Sequence, residues 1–245
     1  MRRILFQCCG VAVCSFPAML YLGMVIGMFA GNYAAHLARV DPSRIFVATL
    51  ILLIPALVGA RLFHIALNWR IYSKAPNLTW RRSTGGASLY GGLPFALLIS
   101  GPVLNALRIP LGTFWDIATF TILIAMIFAR VGCLLNGCCA GRPSEGWFAV
   151  YLPDHCGVWR RRMPTQILEA ILAFALLIFA IVTWNWRAFP GSVFLYAMAG
   201  YGLGRLVLEA TREDQAIVRG ISVNHLISAT LVTISATLLA VAWPR

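Results

Sequence analysis

Long apolar runs separated by short polar breaks dominate the chain. Each run has at least the length of about 20 residues that an α-helix needs to cross a bilayer. The seven runs lie at about 5–35, 46–68, 87–107, 114–135, 164–184, 190–210 and 220–243. This pattern predicts an all-α polytopic membrane protein with about seven transmembrane helices. We expect a single integral membrane domain over 1–245, with its longest polar loop at 136–163.

Composition supports this prediction and excludes a water-soluble domain. Of the 245 residues, 60% are hydrophobic and only 11% are charged, with a mean hydropathy of +0.80. Soluble domains average roughly 45–50% apolar and about 25% charged residues. The first apolar run follows Arg2 and Arg3 and in that respect resembles a signal peptide, but it is too long for one and lacks a small-residue cleavage site. We therefore predict that it is an uncleaved helix.

The few charged residues are mostly basic, with 20 Lys and Arg against 8 Asp and Glu and a net charge of +12. Such an excess at helix ends is attracted to anionic lipid headgroups, so the expected partner is a lipid bilayer and not a nucleic acid. One face, made by the N-terminus and the even-numbered loops, holds Arg2, Arg3, Arg70, Lys74, Arg81, Arg82, Arg142, Arg160, Arg161, Arg162, Arg212 and Arg219. The other face holds Arg39, Arg44, Arg108, Arg187 and Arg245. The positive-inside rule would make the first face cytoplasmic.

Arg61, Arg130 and Arg205 lie within or at the edge of apolar runs. An arginine there is costly, and is therefore a functional candidate. Arg205 shares one helical face with Tyr201, Glu209 and Arg212, at spacings of three and four residues. This stripe could offer a guanidinium to a phosphate. A structural Arg–Glu pair near a helix end explains the stripe equally well.

Two glycine-rich segments adjoin the apolar runs. Residues 129–143 combine glycines with amides and thiols between Arg130 and Arg142, a composition that suits an anion at the membrane–water boundary. Residues 84–92 form a glycine-rich, hydroxyl-bearing turn at the start of the third run. The glycine pairs of that turn could equally serve close helix packing.

Five motifs in this order resemble those of the bacterial phosphatidylglycerol–prolipoprotein diacylglyceryl transferases. They are Gly59-Ala60-Arg61, Gly85-Gly86-Ala87-Ser88-Leu89-Tyr90-Gly91-Gly92, the stretch from Arg130 to Arg142, Arg162-Met163-Pro164-Thr165-Gln166 with Glu169, and Tyr201-Gly202-x-x-Arg205 with Glu209 and Arg212. The resemblance covers nearly the whole chain.

The resemblance implies an enzyme that moves the diacylglyceryl group of phosphatidylglycerol onto the lipobox cysteine of a preprolipoprotein signal peptide and releases glycerol phosphate. Such an enzyme needs no cofactor or metal. The implied catalytic residues are Tyr90, Arg130, Arg205 and Glu209. The implied substrate-binding residues are Arg61, Arg130, Asn136, Gly137, Gly141, Arg142, Arg205 and Arg212. It also implies a bacterial inner-membrane protein whose motif-bearing face lies outside the cytoplasm, opposite to the charge count.

The sequence departs from the family on the acid/base side. Tyr90 stands where the family has His, while Cys133 and Cys138 replace its Asn and Glu, and Phe16 replaces a first-span Tyr. Tyr90, an arginine-rich field or His225 are alternative ways to activate a thiol. These departures leave a catalytically silent phospholipid-binding relative as the second interpretation. A membrane transporter is the third, although the charged motifs cluster at one face and no inverted repeat is evident.

The seven cysteines fall into two groups. Cys8, Cys9 and Cys14 lie in the first apolar run, where we expect buried small hydrophobic residues. The second group is Cys133, Cys138, Cys139 and Cys156, with His155 beside it. Its spacing is not that of a zinc site, so no metal is predicted. A disulfide from Cys138 or Cys139 to Cys156 is the alternative in an oxidising compartment.

Overall fold

The computed structural model describes residues 4–8, 11–73, 89–153, 157–212, 217–218 and 221–243. Seven long helices and one short helix lie in these ranges. They are α1 (Ser15–Leu37), α2 (Pro42–Leu67), the short α3 (Trp69–Tyr72), α4 (Leu89–Ala106), α5 (Leu111–Asn136), α6 (Thr165–Thr183), α7 (Ser192–Glu209) and α8 (Val223–Ala242). The seven long helices coincide with the seven apolar runs, and the all-α polytopic class is confirmed.

Within the described ranges, five helices are long and apolar enough to cross a membrane. They begin at Ser15, Pro42, Leu111, Thr165 and Val223. The apolar part of α4, Gly91–Ala106, is shorter, and α7 is not among the five. α7 carries Arg205 and Glu209, which lower its apolar character.

Short antiparallel hairpins connect or precede the helices. They pair β1 (Ile4–Cys8) with β2 (Val11–Cys14), β3 (Val150–Pro153) with β4 (Trp159–Arg162), and β5 (Ile217–Val218) with β6 (Ile221–Ser222). The first hairpin corrects the predicted start of the first helix, which begins at Ser15 and not near residue 5. Alternation of Val, Ile and Phe with smaller residues at 4–14 suits strands as well as helix.

Contacts divide the chain into two compact units, Met1–Ala34 with Trp115–Arg245, and Ala35–Phe114. Whether they form the single domain expected from the sequence stays a prediction. In the larger unit, glycines on α1 let that helix approach α5 closely. A Cβ added to Gly27 would lie 2.7 Å from the Thr121 carbonyl oxygen, and the Thr121 hydroxyl donates to the Gly27 carbonyl at 2.9 Å. This contact fixes the helix that carries Arg130.

Asp116, near the start of α5, anchors the start of α7. Its carboxylate is buried and accepts hydrogen bonds from the backbone N–H of Gly191 at 2.7 Å and of Phe194 at 3.0 Å. An acidic group at a helix N-terminus satisfies orphan N–H groups and complements the helix dipole. Here the cap comes from another helix, so it sets the position of α7 and of Arg205.

In the smaller unit, α2 and α4 pack through glycines. A Cβ added to Gly91 would lie 2.4 Å from the Gly59 carbonyl oxygen and 2.3 Å from the Phe63 Cβ. A Cβ on Gly92 would lie 2.8 Å from the Ala56 carbonyl oxygen. The end of the predicted glycine-rich turn therefore serves close helix packing. Residues 84–88 lie outside the described part of the chain.

Candidate anion-binding site

The predicted site residues of the larger unit converge where α5, the loop after it, α6 and α7 meet. Backbone hydrogen bonds join these segments. The Gly141 N–H donates to the Met163 carbonyl at 3.2 Å, and the Met163 N–H donates to the Arg142 carbonyl at 3.0 Å. The Arg142 N–H donates to the Thr211 carbonyl at 2.9 Å. The Gly141–Arg212 pair forms an isolated β-bridge. The loop is therefore held by backbone ladders to both neighbouring segments.

Gly141 lies at the tightest point of this junction. A Cβ there would lie 2.4 Å from the Met163 carbonyl oxygen, 2.4 Å from the Thr165 hydroxyl and 2.7 Å from the Thr211 carbonyl oxygen. Two of these atoms are backbone and cannot turn away. Only glycine allows the three segments to meet so closely.

Glu169, in the second turn of α6, is the centre of the charge cluster. Its Oε1 accepts from Arg205 Nη1 and, at 3.1 Å, from Arg212 Nη1. Its Oε2 forms an ion pair with Arg130 Nε at 2.5 Å. One carboxylate thus ties together arginines from α5, from α7 and from the residues that follow α7.

Glu209 forms the second acidic position. It accepts from Arg205 Nη2 at 3.2 Å, from the Ser222 hydroxyl at 3.2 Å and from Asn224 Nδ2 at 2.8 Å. Arg205 lies between the two carboxylates, and its side chain is 2% exposed. The structural Arg–Glu pair considered from the sequence is therefore present at i,i+4 spacing.

The three arginines differ in what they leave available. Two carboxylates face three guanidinium groups, so the cluster keeps one uncompensated positive charge. Arg130 and Arg212 remain 20% and 18% exposed, whereas Arg205 is almost fully enclosed. Exposed guanidinium edges can bind an anion such as a phosphate by charge-assisted hydrogen bonds. Arg130 and Arg212 can therefore contact an anion, while Arg205 positions the carboxylates.

An apolar cavity of about 370 Å³ adjoins Arg130. It lies between α5 and α6, and its polar lining residues are Arg130 and Gln166. Apolar side chains form the remaining walls: Ile127, Val131, Leu134, Ile167, Ala170, Ile171 and Phe174. Such a cavity suits a hydrocarbon chain.

Buried polar residues support the loop beside the cavity. Gln166 Nε2 donates to the Cys138 carbonyl at 2.8 Å, and Arg162 Nη1 approaches the Gly141 carbonyl at 3.5 Å. Both side chains are 2% exposed. They hold the loop between Asn136 and Arg142 against α6.

The loop after α5 folds back on the helix and brings three thiols together. Gly137 and Cys139 both have left-handed backbones, with φ of 73° and 60°, and Cys138 N–H donates to the Cys133 carbonyl at 3.1 Å. The sulfur atoms of Cys133, Cys138 and Cys139 all lie within 4.8 Å of one another. Hydrogen bonds from the Cys133 and Cys139 thiols lower the pKa of Cys138, and Asn136 contributes to this shift. Arg130 interacts electrostatically with Cys133 and Cys139.

The remaining predicted residues lie partly at this junction and partly away from it. Asn136 is half-buried and Arg142 exposed at the junction, and His225 is half-buried at the start of α8. Arg61 belongs to the smaller unit, where its guanidinium lies 5.7 Å from the centre of the Tyr72 ring. The Tyr90 side chain lies outside the described part of the structure, although its backbone belongs to α4.

The cysteine predictions have mixed outcomes. Cys14 is exposed, so its predicted burial is wrong. It ends a strand instead of lying inside a helix. The Cys8 side chain and Cys9 lie outside the described residues. Cys138 and Cys139 carry free thiols, and their predicted partner Cys156 also lies outside the described residues.

Sequence reasoning gave no role to Glu169 or Gln166, although both belong to a motif that it singled out. The signal for Glu169 was present, because it is the one acidic residue in the apolar run 164–184. An ionisable residue inside an apolar helix points to a partner and a function. The stripe on α7 drew attention to pairs within one helix, whereas the Glu169 contacts join three segments.

The fold and the site together define a polytopic membrane protein with an arginine cluster beside an apolar cavity. The chain belongs to the prolipoprotein diacylglyceryl transferase family, whose profile matches residues 3–241. The resemblance found in the sequence is thereby confirmed. Similar proteins include phosphatidylglycerol–prolipoprotein diacylglyceryl transferases of Streptococcus pyogenes serotype M5 (strain Manfredo) and serotype M49 (strain NZ131). Each is 28% identical over 244 residues, covering 94% of this chain and 91% of the relative.

Proposed function

We propose that this protein is a transferase that moves the diacylglyceryl group of phosphatidylglycerol onto a cysteine thiol of a prolipoprotein. The observation that carries this proposal is the placement of Arg130, tied to Glu169, beside an apolar cavity. Membership of the transferase family supports the same activity. The reaction needs a place for lipid chains and a place for a phosphate, and the site offers both.

The phosphate is the group whose charge changes in the reaction. The acceptor thiol loses its proton to water and its sulfur attacks the glyceryl carbon. The bond from that carbon to the phosphate oxygen breaks, and glycerol phosphate leaves with the electron pair. The phosphate therefore passes from one negative charge toward two. Positive groups already held in place stabilise this developing charge without reorganisation. We assign this role to Arg130 and Arg212, whose guanidinium groups are partly exposed.

Arg205, Glu169 and Glu209 act as positioning residues in this proposal. Arg205 bridges the two carboxylates and is too enclosed to contact the lipid phosphate directly. Glu169 in turn holds Arg130 and Arg212. Asn136, Gly137, Gly141 and Arg142 form the loop that closes the site. Arg61 and Tyr90 are assigned to substrate contacts by resemblance alone.

Both substrates bear apolar anchors, which explains a site between membrane helices. The lipid chains can enter the cavity between α5 and α6. The acceptor is the lipobox cysteine that follows the signal peptide of a preprolipoprotein. We place the protein in the bacterial inner membrane with the 136–163 loop outside the cytoplasm. This orientation follows the family, and it implies that several basic residues of that face serve ligands or headgroups instead of setting topology.

A gel-shift assay with purified protein, phosphatidylglycerol and a lipobox peptide tests the activity. The matched control is the same peptide with its cysteine changed to serine. Lipid binding is measured in parallel on the same preparation. We expect a shifted band with the cysteine peptide and none with the serine peptide. Lipid binding without any shift would instead identify a silent phospholipid-binding relative, which the replacements at Cys133 and Cys138 make the second candidate.

A further inference from the structure

Three sulfur atoms meet beside the proposed phosphate site, although their sequence spacing does not form a metal motif. Cys133 comes from the last turn of α5, and Cys138 and Cys139 return to it through the left-handed Gly137. All three Sγ atoms lie within 4.8 Å of one another. The thiols run from buried Cys133 through half-buried Cys138 to exposed Cys139, so the cluster opens to the outside on one side.

This arrangement fits a thiophilic metal ion. Zinc–sulfur bonds of about 2.3 Å in a tetrahedral site place the sulfur atoms about 3.8 Å apart. The sulfur–sulfur distances, which are at most 4.8 Å, can shorten to that value through small side-chain rotations. Three protein ligands with a fourth, open position are the arrangement of catalytic zinc sites, whereas structural sites are closed by four.

We propose that Cys133, Cys138 and Cys139 bind a zinc ion whose open position takes the thiol of the acceptor cysteine. The proposal rests on the proposed function, because it names a cofactor for that reaction. It also accounts for the replaced acid/base residues, since Cys133 and Cys138 stand where the family has Asn and Glu. A tyrosine phenol, whose pKa in model peptides is about 10, is a poor base for a thiol at neutral pH.

The surrounding charge favours such a site. Three thiolates and a zinc ion carry one net negative charge, and Arg130 is a cation that interacts with Cys133 and Cys139. Arg130 also lies beside the apolar cavity proposed for the lipid. A thiol bound to this zinc would therefore lie near the lipid phosphate that Arg130 contacts.

The step balances without another reactant. On binding zinc, the acceptor thiol releases its proton to water, because a coordinating thiol is deprotonated outright. The thiolate sulfur forms its bond to the glyceryl carbon with its own electron pair. The carbon–oxygen bond to phosphate breaks, and glycerol phosphate takes that pair. The product thioether is neutral, binds zinc weakly and leaves the open position.

The first test measures zinc in the full-length protein purified in detergent, before and after incubation with zinc chloride and washing. We expect one zinc per chain in the unmodified protein. Cys133→Ser and Cys139→Ser should each lower zinc affinity by more than the roughly 10–100-fold that follows loss of a residue that only hydrogen-bonds to a metal ligand. Cys14→Ser is the matched control, because Cys14 is a free, exposed thiol at the end of β2. Zinc bound equally by all four proteins, or by none, overturns the proposal.

The second test asks whether the acceptor thiol reaches the metal. Cobalt replaces zinc, and the sulfur-to-cobalt charge-transfer absorption is recorded during titration with a lipobox peptide. A rise in this absorption with the cysteine peptide, and none with its serine variant, supports the proposal. No difference between the peptides overturns the assigned role of the open position.

Chelation separates the zinc site from the transferase activity. Transfer by protein that retains no zinc after chelation, at an unchanged rate, overturns the zinc inference and leaves the transferase intact. Zinc binding and thiol coordination with no transfer to the peptide would contradict the transferase while supporting the metal site. We expect chelation to abolish transfer and zinc to restore it, with phosphatidylglycerol binding unchanged throughout.

Discussion

Glu169 Oε2 and Arg130 Nε lie 2.5 Å apart, joining a carboxylate that is 3% exposed to a guanidinium that is 20% exposed. The same carboxylate holds Arg205 and Arg212 through its other oxygen. One carboxylate therefore holds the guanidinium groups of three arginines in fixed positions relative to one another. Glu169 is therefore the residue on which the site depends most.

We predict that Glu169→Gln severely destabilises the protein. The change keeps size and one acceptor oxygen but leaves three arginines facing a single carboxylate. Removing one partner of a buried ion pair costs about 3–5 kcal/mol. Thermal unfolding in detergent measures the loss, with Glu145→Gln as the control because Glu145 is exposed in the loop. Equal stability of both variants would show that the cluster contributes little.

Arg130→Ala should affect lipid binding and turnover more than stability. Arg130 is partly exposed, and its loss removes one charge-assisted contact to the phosphate, worth about 1.5–3 kcal/mol or roughly 10–150-fold. Arg44→Ala is the control, since Arg44 forms an exposed pair with Asp41 at 3.4 Å. Unchanged phosphatidylglycerol affinity and turnover in the Arg130 variant would exclude it from the phosphate site.

Arg205→Lys should affect stability more than lipid binding, in contrast to Arg130→Ala. Lysine keeps the charge but cannot span Glu169 and Glu209 with one planar fork. We expect the thermal midpoint to fall and turnover to fall at saturating lipid, while lipid affinity changes less than in Arg130→Ala. A variant with normal stability and a selective loss of lipid affinity would place Arg205 in direct contact with the phosphate, contrary to its enclosed position.

Gly141→Ala should disrupt the junction, because the added methyl would lie 2.4 Å from the Met163 carbonyl oxygen. The expected loss of stability is about 1–3 kcal/mol, typical of overpacking. Gly146→Ala is the matched control in the same loop, where the nearest atom is the Ser144 hydroxyl at 3.4 Å. Equal thermal midpoints for the two variants would contradict the close approach at Gly141.

Tyr90→Phe should weaken lipid binding and turnover together by a few-fold. The resemblance assigns Tyr90 to substrate contacts, and loss of one hydrogen bond from a phenol costs about 0.5–1.5 kcal/mol. Binding and transfer assays on the same preparation separate the two roles. Abolished turnover with full lipid binding would make Tyr90 the general base instead.

Much of the fold was predictable because apolar length is a one-dimensional signal. The seven apolar runs predicted the seven long helices, and the i,i+4 spacing predicted the Arg205–Glu209 pair. Contacts between segments were not predictable in the same way. Glu169 gathers its arginines across three segments, and the thiols meet only because Gly137 and Cys139 take left-handed backbones. The hairpin before Ser15 was missed because short apolar stretches suit strand and helix alike.

The central claim is tested most directly by mass spectrometry of the acceptor, with glycerol phosphate measured in the same reaction. The purified protein is incubated with phosphatidylglycerol and a lipobox peptide, beside Arg130→Ala and Arg44→Ala. We predict that the peptide gains one diacylglyceryl group on its cysteine for each glycerol phosphate released, with a loss of roughly 10–150-fold in the Arg130 variant and none in the Arg44 variant. An unmodified peptide and no glycerol phosphate, from protein that still binds phosphatidylglycerol, would contradict the account.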